Sequence, residues 1–123
     1  MLEIKIVTDM QKVADLCAQC GITDTDRMNV LAATDKGEVI AYTVFMMDEE
    51  SLTLLRIMPP DDYSWADGMV RSTMHVAVTR GIDKLYFTEE VDGNMLSKLS
   101  LVKSEEKREL DVEALFRDKC CGK

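Results

Sequence analysis

The chain has 123 residues, of which 46% are hydrophobic and 31% charged, and its formal net charge is −8. This length suits one domain with a single core, and the composition is neither that of a disordered chain nor that of a membrane protein. The acidic excess argues against nucleic acid and anionic membranes as partners, because both would be repelled. A cationic or amine-bearing partner fits this charge better.

The N-terminal residues show no basic segment followed by an apolar stretch, so no export signal is readable and we expect a cytoplasmic protein.

A C-x-x-C pair, Cys17 and Cys20, and the vicinal pair Cys120 and Cys121 raise the alternative of a zinc site. However, Cys17 and Cys20 continue the helical spacing of Val13 and Leu16, which predicts two core-facing thiols. Because vicinal cysteines are also a poor tetrahedral chelate, we predict no metal site.

Apolar periodicity and turn residues predict the following elements in chain order: strand Leu2–Val7, helix Met10–Cys20, loop Ile22–Arg27, strands Met28–Ala33, Val39–Met47 and Leu52–Met58, helix Trp65–Arg80, strand Lys84–Thr88, helix Asp92–Leu99, a hairpin of Leu101–Lys103 with Lys107–Leu110, and helix Val112–Lys119. Short turn-rich gaps make the middle three strands an antiparallel meander, which Pro59-Pro60 ends. The next strand follows a long helix and is therefore predicted to be parallel to its neighbour.

Three phrases of the sequence, in this order of elements, are similar to those of one known family. They are Gly37-Glu38-Val39-Ile40-Ala41-Tyr42, Arg80-Gly81-Ile82-Asp83-Lys84-Leu85-Tyr86 and Lys98-Leu99-Ser100-Leu101-Val102. The chain resembles the GNAT superfamily of acyl-CoA N-acyltransferases from end to end. The resemblance implies a single α/β (α+β) domain over Met1–Lys123, with a mixed, mainly antiparallel sheet, parallel central strands 4 and 5, and flanking helices.

The same resemblance implies that acetyl-CoA or another acyl-CoA binds where the long helix begins. The family binds the pyrophosphate on backbone amides of an R/Q-x-x-G-x-G/A loop, where free amides and the helix dipole attract phosphate. One register places Asp61, Ser64 and Ala66 on that motif, and a second places Tyr63, Ala66 and Gly68 there. The predicted cofactor residues are therefore Ile57, Met58, Tyr63, Ser64, Trp65, Ala66, Asp67 and Gly68, with the backbone of Ile57 and Met58 holding the pantetheine arm.

The resemblance offers fewer candidates for catalysis. The family's tyrosine acid aligns with Leu96, beside which Ser97 is a weak candidate. The strand position of the usual glutamate base carries Thr53 and Arg56, neither of which is a good base. Glu49 and Glu50 in the preceding turn could act through water. Each has a structural alternative: an exposed helix serine, or solvated turn residues of an acidic protein.

Two functions follow as expectations. The first is acyl transfer to an unidentified small-molecule or protein amine by direct attack on the thioester in a ternary complex. The second is a non-catalytic binding or assembly module that kept the fold and lost CoA binding, with Tyr63 and Trp65 filling the cleft. Asp61, Asp62 and Asp67 crowd the expected phosphate position, although acids at a helix N-terminus also occur for helix stability alone. The oligomeric state is left open, with a homodimer among the options.

Overall fold

The computed structural model describes residues 2–60, 62–91, 93–99 and 109–111. Its elements there are β1 (Leu2–Ile6), α1 (Met10–Gln19), β2 (Asn29–Asp35), β3 (Glu38–Met47), β4 (Ser51–Met58), α2 (Tyr63–Thr79), β5 (Lys84–Phe87), α3 (Gly93–Lys98) and β6 (Glu109–Asp111). The strands form one sheet in chain order, in which β4 and β5 are parallel and the other neighbours antiparallel. The predicted mixed sheet is therefore confirmed.

The two longer helices end in the same way. After each comes a glycine with positive φ, Gly21 at 87° and Gly81 at 74°, a conformation that costs a residue with a Cβ atom more. The next residue then donates its amide back into the helix, from Ile22 to the Cys17 carbonyl and from Ile82 to the Ala77 carbonyl, both at 2.9 Å. This is the Schellman arrangement, and it explains why both helices stop where the sequence predicts.

Helices cover the two faces of the sheet unequally. On one face, α2 and α3 pack on the main core, which includes Phe45, Leu52, Leu54, Met69, Met74, Leu85, Met95 and Leu96. On the other face, α1 covers a smaller core, which we call the α1 core. It consists of Val13, Leu16, Cys17, Ile22, Val30, Ala32, Tyr42 and Val44. Since α2 contacts the strands from β2 to β5, the edge strand β1 lies outside the well-covered part of the sheet, and all five of its residues are exposed.

Two predictions about α2 need correction. The helix begins at Tyr63 rather than Trp65, because the Asp62 side chain caps it two residues earlier. Val78, expected on the core-facing stripe, is exposed, since it is turned about 100° from its buried neighbour Ala77.

Several predicted features lie outside the described residues. They are the Asp92 cap, strand Leu101–Lys103, the first part of Lys107–Leu110, and helix Val112–Lys119. None of the helices in the described part of the chain combines the length and the apolar composition that a bilayer crossing would need.

Candidate functional site

β4 and β5 lie side by side along only half of β4. Their register runs from Ser51 opposite Lys84 to Leu54 opposite Phe87, and the Thr88 amide then donates to the Leu54 carbonyl at 3.1 Å. Beyond this point β4 continues to Met58, without paired residues in β5. We call the place where this pairing ends the fork. Within the described residues, positions 55–58 of β4 have no strand partner on the β5 side.

A β-bulge in β4 coincides with the fork. Leu54 pairs with Phe45 of β3 and Arg56 pairs with Val44, so Leu55 is an extra residue between them. The bulge shifts the alternation of side chains by one position, which is why Leu54 and Ile57 both face the main core. Bulges bend the strand that carries them and increase its twist, and this one lies where the pairing of β4 with β5 ends.

Polar side chains hold the bulge in place. The Leu55 carbonyl accepts from the Thr88 hydroxyl at 3.1 Å and from Arg56 Nη1 at 3.0 Å. Arg56 Nε also donates to the carbonyl of Cys20, at the C-terminus of α1, at 3.1 Å. Its Nη1 lies 3.8 Å from a carboxylate oxygen of Glu90. Arg56, which the sequence places where the family's base is usual, therefore has a structural role that ties the bulge to α1.

The end of β4 leads directly into the N-terminus of α2. After the cis peptide bond between Met58 and Pro59, the chain reaches Asp62, whose carboxylate accepts from the Ser64 hydroxyl at 2.7 Å and the Trp65 amide at 3.3 Å. These bonds, the Ser64 hydroxyl first, hold the pKa of Asp62 below its ordinary value. A charged carboxylate of the chain itself thus sits on the first-turn donors of α2.

The predicted cofactor residues differ in what they can offer. The Ile57 side chain is buried in the main core and that of Met58 packs against the α1 core, so only their backbones are candidates at the fork. Ser64 is exposed and Trp65 half-buried against the main core. Ala66 is fully buried, and its amide donates to the Asp62 carbonyl at 2.9 Å.

The remaining cofactor candidates lie on or beyond the first turn of α2. Tyr63 begins the helix, whereas Asp61 lies outside the described residues. Asp67 accepts from Arg71 Nε at 3.1 Å, one turn along the helix. Gly68 is exposed, and a Cβ atom added there would have nothing within 4 Å. The ion pair with Arg71 makes Asp67 a smaller obstacle to an anion than its sequence position suggests.

Two of the catalytic candidates lie at the far end of β4 from the fork. Glu49 and Glu50 are exposed in the turn before β4, and Glu50 lies five residues, or about 16 Å of strand, before Leu55. The Asp48 carboxylate organises this turn by accepting from the Glu50 and Ser51 amides, both at 2.8 Å. These bonds lower the pKa of Asp48.

On α3, Leu96 is fully buried in the main core, as expected for a packing residue. The assignment of Ser97 to catalysis stays a prediction, and so do those of Glu49 and Glu50.

The C-x-x-C pair belongs to the α1 core. Cys17 is fully buried and Cys20 packs against the same cluster. Burial, and then the neighbouring Cys20, raise the pKa of the Cys17 thiol, so the thiolate that metal binding needs is disfavoured. No group of three or more candidate ligands with metal-binding geometry occurs within the described ranges, and Cys120 and Cys121 lie outside them.

The bulge was missed by the sequence analysis although the sequence carries a signal for it. The core residues of β4 are Leu52, Leu54 and Ile57, so the spacing of two becomes a spacing of three after Leu54. Strict alternation would have put Arg56 in the main core, where an unpaired guanidinium is costly. An extra residue at Leu55 resolves this conflict.

Comparison with known proteins identifies the fold. No protein-family model matches the chain, and no curated protein matches it in sequence. Solved structures do match. A mutant form of the AtaT toxin bound to the C-terminus of the antitoxin AtaR has a TM-score of 0.57 and 18% identity, over 94% of this chain and 97% of that chain.

Two further structures are similar. The ribosomal-protein-alanine N-acetyltransferase of Brucella melitensis biovar Abortus 2308 has a TM-score of 0.58 and 13% identity, over 80% of this chain and 88% of that one. The aminoglycoside 6'-N-acetyltransferase of Enterococcus faecium has a TM-score of 0.52 and 12% identity, over 69% of this chain, which spans 60% of that protein. The chain therefore has the fold of the GNAT acetyltransferases.

Proposed function

We propose that the chain is an acyl-CoA-dependent N-acyltransferase, with acetyl-CoA as the donor to test first and an amine as the acceptor. The observation that carries this proposal is the fork, where a bulged β4 continues beyond its pairing with β5 and leads straight into the N-terminus of α2. Similarity to acetyltransferase structures supports it. A strand backbone that extends beyond its parallel neighbour and then leads into a helix N-terminus suits a long ligand that carries a phosphate group.

In this proposal the backbone does most of the binding. Main-chain groups of Ile57 and Met58 hold the pantetheine arm, and first-turn amides of α2 hold the pyrophosphate with help from the helix dipole. The acceptor nitrogen attacks the thioester carbonyl, a C–N bond forms and the C–S bond breaks. The amine loses a proton to water and the departing thiolate gains one. Positioning of the two substrates supplies the main rate effect.

Asp62 opposes this binding. Its carboxylate holds the Ser64 hydroxyl and the Trp65 amide, which the phosphate would need. Each charge-assisted contact with an amide contributes about 1.5–3 kcal/mol. The Asp62 carboxylate would also repel the phosphate. Binding therefore requires the Asp62 side chain to swing away, and it should be weak.

The same contact is the observation behind a second candidate function. If the Asp62 carboxylate keeps the first-turn donors of α2 permanently, the chain is a non-catalytic module with the GNAT fold. One pair of variants separates the two functions. Asp62→Asn removes the charge and keeps a good N-cap residue. Asp9→Asn is the matched control, because Asp9 caps α1 through the Gln11 and Lys12 amides, away from the fork.

The experiment is thermal unfolding with and without acetyl-CoA at millimolar concentration. We expect acetyl-CoA to raise the Tm of the wild type, because a ligand that binds only the folded state stabilises it. The rise in Tm should be larger in Asp62→Asn than in the wild type, and in Asp9→Asn it should equal that of the wild type. A rise in Asp62→Asn alone would favour the non-catalytic module. No rise in any of the three proteins would overturn the proposal.

A further inference from the structure

The exposed face of β1 is unusually apolar for a sheet edge. Leu2, Ile4 and Ile6 are 51%, 41% and 38% exposed. Their cross-strand partners in β2 include Ala33 and Leu31 of the main core, so all three side chains lie on the α2 face of the sheet. Beside them is a groove of about 370 Å³ that α2 lines with His75, Val76 and Thr79. The main core thus continues to the sheet edge as an uncovered apolar stripe.

The backbone of the same three residues faces the open edge. Val7 donates its amide to the Val30 carbonyl at 2.9 Å, and the β1–β2 register continues without a shift. In an antiparallel pair, alternate residues exchange hydrogen bonds with the neighbouring strand. Glu3 and Lys5 therefore turn their amides towards β2, while Leu2, Ile4 and Ile6 turn theirs outward. Within the described residues, β1 is the terminal strand of the sheet.

Charge complementarity selects one partner for this edge. Glu3 and Lys5 point to the α1 face, are largely exposed, and lie 3.9 Å apart through their charged atoms. If a second β1 pairs antiparallel about Ile4, Glu3 lies opposite Lys5 of the partner copy, twice by symmetry. Leu2 then lies opposite Ile6 of the partner copy. The neighbouring registers that keep outward backbones paired put either Glu3 opposite Glu3 or Lys5 opposite Lys5, which is destabilising.

We propose that the chain forms a two-fold symmetric homodimer through antiparallel pairing of β1 with β1 of a second copy, centred on Ile4. The two sheets become continuous, and the apolar stripes of both copies meet on the α2 face. Such an interface is self-complementary, as a closed dimer requires. It also removes an open apolar edge that would otherwise favour aggregation.

The test is a charge swap, read out by sedimentation equilibrium on the full chain. Glu3→Lys and Lys5→Glu should each weaken the dimer by about tenfold or more, because two like-charge contacts replace two attractive ones. The double variant Glu3→Lys with Lys5→Glu should return to within about threefold of the wild type, since it restores opposite charges across the axis. Glu89→Lys is the control for net charge, because Glu89 is exposed in the turn after β5.

Amide hydrogen exchange gives a second measurement that does not depend on folding of the variants. The Ile4 and Ile6 amides should become slower to exchange as protein concentration rises, whereas the Glu3 and Lys5 amides, bonded to β2 in either state, should not change. A wild type that stays monomeric at about 0.5 mM, where a micromolar interface is saturated, would overturn the proposal. A dimer whose dissociation constant is the same in Glu3→Lys and Lys5→Glu as in the wild type would also overturn it. So would protection of the Ile4 amide that does not depend on protein concentration, because another occupant would then cover the edge.

Discussion

The Tyr42 hydroxyl joins the sheet to α1 and shows how one polar group can hold a core in place. Tyr42 is buried among the α1 core residues, and its hydroxyl donates to the Leu16 carbonyl at 2.9 Å. That carbonyl belongs to the last turn of α1, where backbone acceptors lack partners further along the helix. The aromatic ring thus supplies apolar area and a hydrogen bond at once.

Tyr42→Phe should lower the free energy of unfolding at neutral pH by about 1–2 kcal/mol, because a buried acceptor loses its donor. Urea denaturation measures this change. The matched control is Tyr86→Phe, since Tyr86 is on β5 with 38% of its surface exposed, and its stability should stay within about 0.5 kcal/mol of the wild type. Equal stability of Tyr42→Phe and the wild type would contradict a structural role for this hydrogen bond.

The raised pKa of Tyr42 predicts how the stability of the wild type depends on pH. Burial, followed by the Cys20 and Cys17 thiols, raises the pKa of Tyr42 from 10.0 to about 12. The folded state therefore keeps a proton that the unfolded state loses, so this contribution is complete below pH 10 and is lost between about pH 10 and 12. Over that range, the stability of the wild type should fall more steeply than that of Tyr42→Phe. Parallel curves would contradict the assignment.

At the scale of elements, α2 decides which part of the loop can meet a phosphate. Its first intrahelical bond runs from the Ala66 amide to the Asp62 carbonyl, so the amides that a helix leaves open are those of the first turn. Gly68 is further along, where amides are used within the helix. Ala66 and Gly68, on which the second register relies, both have amides used within the helix, whereas the first register also places the first-turn residue Ser64 on the motif. The first register is therefore favoured.

Gly68→Ala tests that register. Because the position is exposed and a Cβ atom would have nothing within 4 Å, alanine should stabilise the free protein by about 0.5–1 kcal/mol through helix propensity. In isothermal titration, the double variant Asp62→Asn with Gly68→Ala should bind acetyl-CoA with an affinity within about twofold of that of Asp62→Asn alone. A large loss of affinity would show that the phosphate approaches Gly68 itself.

The elements also show what the sequence could and could not predict. Helix ends at Gly21 and Gly81 and the parallel β4–β5 pair followed from local signals, because glycine stops and crossover connections are encoded in neighbouring residues. The Asp62 cap was not predicted, because apolar periodicity places the helix start at Trp65, whereas the cap depends on the conformation of the preceding loop. The bulge at Leu55 depends on cross-strand pairing with Val44 and Phe45, which no local window contains. The exposed side of β1 likewise depends on where α2 packs.

At the scale of the whole molecule, fold and function separate. The fold is that of the GNAT acetyltransferases, yet Leu96 is a core residue and a carboxylate accepts hydrogen bonds from the first-turn donors of α2. Three acids in the loop region suggested a repelled phosphate from sequence alone. In the structure, Asp67 pairs with Arg71 and the Asp62 carboxylate lies at the first-turn donors, whereas Asp61 lies outside the described residues. The central claim is that the fork binds acyl-CoA.

The most direct measurement is a titration of the isotopically labelled full chain with acetyl-CoA, followed by backbone amide NMR shifts. The amides of Ile57, Met58, Ser64 and Trp65 should shift together with a single affinity, while those of Ile4 and Lys5 in β1 stay constant. Shifts that are absent, or that cluster away from the fork, would contradict the claim.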